Sequence, residues 1–126
     1  LDRPPTKLVS VADSDELDVL QARMKDRFGN RLHISKSLPI FLEFSASGVT
    51  KGSGLDFLAE RLGFSQEKTV AFGDGENDVE LLEWAGYGVA VANAHERLRA
   101  LADLVCPPAD EEGVAQVIEA VLDSRS

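Results

Sequence analysis

The 126-residue sequence predicts an α/β fold built from two unlike segments. From residue 48 onward, helical patterns alternate with short, wholly apolar strands, which is typical of a parallel sheet covered by helices. Residues 1–47 instead predict the order β-α-β-β, in which two runs of alternating apolar and polar residues indicate an antiparallel hairpin with one wet face. We call residues 1–47 the first segment and residues 48–126 the second segment.

The distribution of charge divides the chain at the same place. The first segment carries seven basic and seven acidic residues, whereas the second carries six basic and fifteen acidic ones. The net charge of −9 argues against binding of nucleic acid through its phosphates and against docking on an anionic membrane. The sequence has no apolar run long enough for a membrane span, and its single cysteine, Cys106, excludes a disulfide framework, so a cytoplasmic compartment is expected.

The first segment predicts four elements in close succession. They are a strand at 7–12, a helix at 13–28, and two hairpin strands near 32–34 and 40–44. Asp13 and Glu16 have capping-box spacing at the start of the helix, and Gly29 follows its end. Pro39 lies in the short turn of the hairpin, and the small polar stretch at 45–48 predicts the junction with the second segment.

The second segment predicts helices and strands in alternation. The helical patterns lie at 55–62, 79–85, 98–102 and 114–122, and the apolar strands at 70–72, 88–92 and 104–105. Gly63 and Gly86 end the first two helices. In parallel sheets of this kind, ligands bind beyond the carboxyl ends of the strands, so the loops at those ends are the first places to look for a functional site.

One such loop, Gly-Asp-Gly-Glu-Asn-Asp at 73–78, combines groups that suit a phosphate and a metal. Its glycines permit close approach of a ligand, and the start of the following helix favours an anion. The carboxylates of Asp74 and Asp78 would repel a phosphate unless a cation lay between them, and hard oxygen ligands favour Mg²⁺. An ordinary turn capped by aspartate is the simpler interpretation of an isolated Gly-Asp-Gly, but all six residues between a strand and a helix favour a functional site.

Lys51 is the second candidate, because it precedes a Gly-rich turn at 52–54 that opens a helix. A lysine in this position can neutralise a phosphate as a compact charge. The order of residues differs from a Walker A loop, in which the lysine follows the glycines. A surface lysine beside a helix start is the alternative, but the βα unit that carries Lys51 precedes the Asp74 loop and so favours an active-site cation.

Residues 49–122 resemble the C-terminal part of a haloacid dehalogenase (HAD) superfamily hydrolase, close to the Cof-type phosphatases. The matching stretches are VTKGSGLDFLAERLGF, VAFGDGENDVELLEWAGYGVAVANA and ADLVCPPADEEGVAQVIEAVL. Residues 7–46 resemble the closing half of the type IIB cap of these enzymes. The resemblance implies that residues 48–126 form the C-terminal part of a Rossmann-like core and residues 1–47 the C-terminal half of an α+β cap.

The resemblance also implies an activity, the Mg²⁺-dependent hydrolysis of phosphomonoesters of small metabolites such as sugar phosphates. The implied roles are stabilisation of the nucleophile and phosphoryl group by Lys51, ligation of Mg²⁺ by Asp74, phosphate binding by Asn77, and support of the metal site by Asp78. Two alternatives stay open, a non-catalytic module that binds Mg²⁺ or phosphate and a phosphomutase, which needs a sugar acceptor in place of water. The resemblance also implies that the cap sets the specificity for the substrate, and we expect half of this cap to be absent from the chain.

The nucleophile motif of this family is not found. These enzymes attack phosphate with an aspartate of a DxDxT-type motif that follows the first core strand, and they form an aspartyl-phosphate. The apparent DxD here, Asp13 and Asp15, has Leu17 in place of the threonine and leaves no room for further core strands before Lys51, so helix capping is the expected role of Asp13.

We therefore expect a truncated chain that starts at Leu1, lacks its nucleophile and is inactive alone. Its uncovered apolar surface predicts pairing with the missing N-terminal portion or with a second copy of the chain. Structural rather than functional roles are expected for the other polar and aromatic side chains that stand out in the sequence. His33 and His95 have no visible partner and are not predicted to be ligands or bases, and packing is expected for Trp84 and Cys106. Lys36 and Glu43 on the hairpin could reach toward substrate, but solvent exposure is the expectation for both.

Overall fold

The computed structural model describes residues 2–125 and arranges them around two three-stranded sheets. The strands are β1 (Lys7–Val11), β2 (Leu32–Leu38), β3 (Phe41–Ala46), β4 (Val70–Gly73), β5 (Tyr87–Val91) and β6 (Leu104–Cys106). The helices are α1 (Ser14–Phe28), α2 (Lys51–Leu62), α3 (Val79–Trp84), α4 (Glu96–Leu101) and α5 (Gly113–Asp123). Short 3₁₀ turns lie at Gly29–Arg31, Gln66–Lys68, Glu76–Asp78 and Ala109–Glu111. None of the helices in the described part of the chain is long and apolar enough to cross a membrane.

The first segment forms an antiparallel sheet in the order β1-β3-β2, with α1 packed on one face. Leu17 of α1 is fully buried against Ile34 and Leu42 of the hairpin. The alternation of apolar and polar residues therefore predicted the hairpin and its helix-facing side correctly. The expectation that the opposite face is wet is wrong, because Ser35 on that face is buried and its cross-strand partner Glu43 is half-buried.

The start of α1 differs in one detail from the prediction. Asp13 occupies the N-cap position, and its carbonyl oxygen accepts the first helical hydrogen bond from the N–H of Leu17 at 3.0 Å. Its side chain makes no capping hydrogen bond. The expectation that the Asp13 carboxylate caps the helix is therefore wrong, and Asp15 and Glu16 place negative charge in the first turn instead, where the helix dipole favours it.

The second segment forms a parallel sheet in the order β4-β5-β6, which confirms the predicted fold class. The central strand β5 is buried from Gly88 to Val91, and the largest buried side chains around it include Val79 and Leu98. Cys106 is buried in the same core, as expected of a small packed residue. The parallel order brings the carboxyl ends of β4 and β5 to one edge, where the loops that follow them meet.

Helix α2 begins one turn earlier than the sequence suggests. Thr50 caps it through a capping box, in which the Thr50 hydroxyl accepts from the N–H of Ser53 at 3.1 Å and the Ser53 hydroxyl accepts from the N–H of Thr50 at 2.9 Å. Lys51 is therefore the first residue of the helix, and the glycines lie inside its first turn. Gly52 is buried against α3, since a Cβ there would lie 2.3 Å from the carbonyl oxygen of Glu80.

Candidate active site

The Asp74 loop (residues 73–78) joins β4 to α3 at the carboxyl edge of the parallel sheet. Asp74 directly follows β4, and its side chain is exposed. Its carbonyl oxygen accepts a hydrogen bond from the N–H of His95 at 2.8 Å, which ties the Asp74 loop to the loop after β5. The predicted loop thus lies where ligands bind in parallel sheets.

Lys51 and Asp78 meet at this loop, although 27 positions separate them in the sequence. The Lys51 ammonium donates to Oδ1 of Asp78. Oδ2 of Asp78 accepts from the backbone N–H groups of Asp74 at 3.0 Å and of Gly75 at 3.2 Å. The Asp78 side chain is 5% exposed and that of Lys51 is 50% exposed, so a nearly buried carboxylate holds a half-exposed lysine.

The surroundings of Asp78 keep it ionised. Burial alone would raise the pKa of its carboxyl, but the hydrogen bond from Lys51 and those from the backbone of Asp74 and Gly75 outweigh burial and hold the pKa below its ordinary value. Asp78 is thus a fixed negative charge at neutral pH, and it fixes both the lysine and the backbone of the loop.

Gly73 is required by a close contact, whereas the close contact at Gly75 is with the end of a side chain that can turn away. A Cβ at Gly73 would lie 2.7 Å from the Cβ of Asp78, and one at Gly75 would lie 2.9 Å from Oδ1 of Asn77. The half-buried Asn77 side chain therefore occupies the space over Gly75. Glycine at position 73 thus allows the loop to fold closely onto Asp78.

The start of α3, where the sequence predicted an anion-binding site, differs from that prediction. A three-residue 3₁₀ turn, Glu76–Asp78, precedes α3, which has only six residues. The N–H groups of Asp74 and Gly75 bind Asp78, and the N–H of Asp78 donates to the carbonyl of Gly75 at 3.1 Å. These three donors are used within the loop, so the backbone N–H groups of residues 74, 75 and 78 are not available to bind a phosphate.

A cleft of about 450 Å³ lies between the two segments, beside the Asp74 loop. Its walls are the start of α1 and the hairpin turn on one side, and Asp74, Asn93 and His95 on the other. Asp74 and Asn93 also line a neighbouring hollow of about 320 Å³ that contains Lys51 and Asp78. Asp74 therefore lies where the cleft and the hollow meet.

The sequence analysis did not assign Asn93 to the site, although its position just after β5 could have indicated it.

Lys36 and Glu43 of the hairpin were expected to be solvent-exposed, but most of each side chain is buried. The Lys36 side chain is 14% exposed, and its ammonium donates to Asp18 and to both oxygens of Ser14 on α1. The Glu43 side chain is 21% exposed and accepts from Lys7 of β1 at 3.1 Å. Burial raises the pKa of Glu43, but hydrogen bonds from Ser37 and Lys7 and the charges of Lys7 and Lys51 more than offset this and lower it. Both side chains stabilise the first segment, and Lys36 also lines the cleft beside the Asp74 loop.

The carboxylate oxygens at the site fit some, but not all, of the ligand positions around Mg²⁺. Asp74 offers an exposed carboxylate, whereas both oxygens of Asp78 already accept hydrogen bonds. Among residues 2–125, no group of three or more histidine, cysteine or acidic side chains is placed to hold a metal ion. Mg²⁺ in enzymes commonly has one or two carboxylate ligands and fills its other positions with water and phosphate oxygens, so the donors present fit such an ion in part.

Known proteins with similar sequences or structures are described as phosphatases or as hydrolases of the haloacid dehalogenase type. The chain is 51% identical over 71 residues to the phosphoglycolate phosphatase of Archaeoglobus fulgidus, a match that covers 56% of this chain and 32% of the relative. A HAD subclass IIB sugar phosphatase has a TM-score of 0.80 and 28% identity, over 95% of this chain and 44% of the other. A protein described as a HAD/COF-like hydrolase from Plasmodium vivax has a TM-score of 0.86 and 30% identity, over 94% of this chain and 42% of the other.

The chain thus spans less than half the length of each of these three proteins. The family model of haloacid dehalogenase-like hydrolases matches residues 1–118. This match includes the whole first segment and the second segment as far as residue 118, with the Asp74 loop and Lys51, and it confirms the resemblance inferred from the sequence. The chain belongs to the haloacid dehalogenase-like hydrolase family.

Proposed function

We propose that this chain forms part of a phosphatase that hydrolyses phosphomonoesters of small metabolites. The observation that carries the proposal is the ion pair of Lys51 and Asp78 beside the exposed carboxylate of Asp74, at the carboxyl edge of the parallel sheet. A fixed cation and a free carboxylate at one edge suit a phosphate that is bound together with a metal ion. The named relatives, a phosphoglycolate phosphatase and a sugar phosphatase, favour a small phosphorylated metabolite as substrate.

Lys51 and Asn77 are the proposed phosphate-binding groups. The Lys51 ammonium has three donors and gives one to Asp78, so the others can reach phosphoryl oxygens in the adjoining hollow. Asp78 holds this ammonium in place, which spares the enzyme the cost of ordering a flexible lysine when substrate binds. The Asn77 amide lies over Gly75 in the same loop and is proposed to donate to the phosphate as well.

Asp74 is the proposed ligand of Mg²⁺, and Asp78 supports it. The backbone of Asp74 is fixed at both ends, by Asp78 at its N–H and by His95 at its carbonyl. Its side chain is thereby directed by the loop while remaining free to bind a cation. When bound, Mg²⁺ would neutralise the phosphoryl oxygens and the carboxylates that surround them.

The nucleophile is proposed to lie outside these 126 residues. In this family the attacking aspartate follows a strand of the parallel sheet, whereas Asp13 and Asp15 follow β1 of the antiparallel sheet. Strand β4 lies at an edge of its sheet, with Val70 38% exposed, and could pair with another strand. The carboxylate would attack phosphorus, the ester oxygen would leave with a proton, and water would then release phosphate from the aspartyl-phosphate.

The test is to complete the protein and to measure hydrolysis. This chain is joined to the N-terminal part of the A. fulgidus phosphoglycolate phosphatase, in place of the relative's own C-terminal part, and incubated with p-nitrophenyl phosphate and Mg²⁺. Hydrolysis that requires both parts supports the proposal. A folded hybrid that binds Mg²⁺ or phosphate without hydrolysis would instead identify a non-catalytic binding module. Transfer of phosphate to a sugar acceptor rather than to water would identify a phosphomutase.

A further inference from the structure

Glu76, the middle acidic residue of the Asp74 loop, is bonded to the first segment. Its carboxylate accepts from Nε2 of Gln21 at 2.9 Å and from Nζ of Lys25 at 3.3 Å, and its side chain is 16% exposed. Gln21 and Lys25 are four positions apart on α1, so they lie on one face of that helix. Away from the junction at 45–50, all side-chain hydrogen bonds that join the two segments within residues 2–125 end on Glu76.

The rest of the loop is held by the second segment. Asp78 is bonded to Lys51, and the carbonyl of Asp74 is bonded to the N–H of His95. Glu76 lies between these two anchors, in the 3₁₀ turn that also contains Asn77. Movement of Glu76 therefore carries Asn77 with it. The hairpin of the first segment lies nearby, since the carbonyl oxygen of Ser37 is 3.8 Å from the position of a Cβ on Gly75.

We propose that Glu76 is a positioning residue, which sets the Asp74 loop in its working geometry by docking it on α1. The inference rests on the proposed phosphatase function and adds a role for a residue that does not touch the phosphate. Glu76 lines the cleft between the segments but not the hollow that contains Lys51, and its carboxylate is bonded to Gln21 and Lys25, so its proposed effect on phosphate in that hollow is through the alignment of the loop. Because this alignment matters most in the transition state, the loss of Glu76 should reduce kcat more than it changes KM.

The first experiment measures the loop in the 126-residue chain itself, by hydrogen exchange of the Asp78 amide, which donates to the carbonyl of Gly75. In Glu76→Ala, we expect exchange of this amide to be about tenfold faster, because one of the anchors of the turn is gone. Glu83→Ala is the matched control, since Glu83 is an exposed glutamate of α3. Unchanged exchange in Glu76→Ala would overturn the proposal, whatever the activity of the completed enzyme.

The second experiment uses the completed enzyme and a reversal of charge. Glu76→Lys and Lys25→Glu should each lower kcat by about tenfold while KM stays within about twofold. The double variant should recover most of kcat, because the new pair has opposite charges and the amide of Gln21 can turn to offer its oxygen. Arg23→Glu, on an exposed position of the same helix, controls for charge alone and should leave kcat unchanged.

The outcomes separate this proposal from the proposed function. Recovery of kcat in the double variant supports positioning through α1, whereas equal losses without recovery would overturn it and indicate a direct role for Glu76. If the completed enzyme with native Glu76 hydrolyses nothing, the proposed function fails. The exchange rates of the chain then still decide whether Glu76 couples the loop to α1.

Discussion

Lys51 and Asp78 form an ion pair that joins the first turn of α2 to the loop after β4. The pair is asymmetric, because the Asp78 side chain is nearly buried and the Lys51 side chain is half-exposed. Asp78 also binds two backbone N–H groups, so one carboxylate organises both the lysine and the turn that carries Asp74. This relationship makes Asp78 important for the fold of the site as well as for its charge.

Replacement of Asp78 should therefore destabilise the chain. Asp78→Ala removes the acceptor of two backbone N–H groups and of Lys51, and we expect a loss of about 2–4 kcal/mol in the free energy of unfolding. Asp78→Asn keeps one oxygen as acceptor and should cost less. Urea unfolding monitored by circular dichroism measures both. The control is Asp123→Asn at the exposed end of α5, expected within about 0.5 kcal/mol of the native chain. Equal stability of Asp78→Ala and the control would contradict the structural role.

The contribution of Asp78 to stability should depend on pH. Because folding lowers the pKa of its carboxyl, the contribution is fully present above the ordinary value of 3.8 and is lost as pH falls through the lower folded pKa. The difference in unfolding free energy between the native chain and Asp78→Asn should thus be constant above about pH 5 and shrink below about pH 4. Glu43 also has a lowered pKa, but it is present in both proteins and cancels. A difference that grows on acidification would oppose the assigned direction.

Two glycines in the first turn of α2 should respond in opposite ways to the same substitution. Gly52→Ala places a methyl group 2.3 Å from the carbonyl oxygen of Glu80, so α2 must move away from α3, and we expect a loss of about 1–3 kcal/mol. Gly54→Ala meets nothing within 4 Å and should gain up to about 1 kcal/mol, because alanine favours the helix. Thermal unfolding of both variants checks the prediction. Equal changes in the free energy of unfolding for Gly52→Ala and Gly54→Ala would contradict this prediction.

Removal of metal should affect the completed enzyme through Asp74. We expect EDTA to abolish hydrolysis of p-nitrophenyl phosphate and added Mg²⁺ to restore it. Asp74→Asn should weaken the response to Mg²⁺ by about 10-fold or more, since an amide oxygen is a poorer ligand for a hard cation than a carboxylate. A titration with MgCl₂ measures this shift, and Asp123→Asn is again the matched control. Full activity in EDTA would show that no metal is needed.

The candidate site could be predicted from the sequence because its strongest signals are local. Six consecutive residues between an apolar strand and a helix define the Asp74 loop, and Lys51 stands at the start of the preceding helix. The order of the parallel strands then brings them to one edge. The pairing of Lys51 with Asp78 needed the structure, because it depends on the contact of α2 with α3 at Gly52.

The side chains of the hairpin could not be placed in the same way. Lys36 binds Asp18, which is 18 positions away, and Glu43 binds Lys7, which is 36 positions away. Strand alternation shows which residues share a face, but it does not show which charged groups face one another across the sheet or the helix. The attachment of Glu76 to Gln21 escaped prediction for this reason as well, since it joins two segments that the sequence treats separately.

The most direct measurement is the hydrolysis rate of the completed enzyme with Lys51→Ala. If Lys51 neutralises the phosphoryl group, kcat/KM for p-nitrophenyl phosphate should fall by about 100-fold or more, while Lys68→Ala, an exposed lysine in the 3₁₀ turn before β4, should leave it unchanged. Circular dichroism establishes that both variants are folded. A folded Lys51→Ala enzyme that hydrolyses the ester as fast as the Lys68→Ala control would contradict the assignment of this edge of the sheet as a phosphatase site.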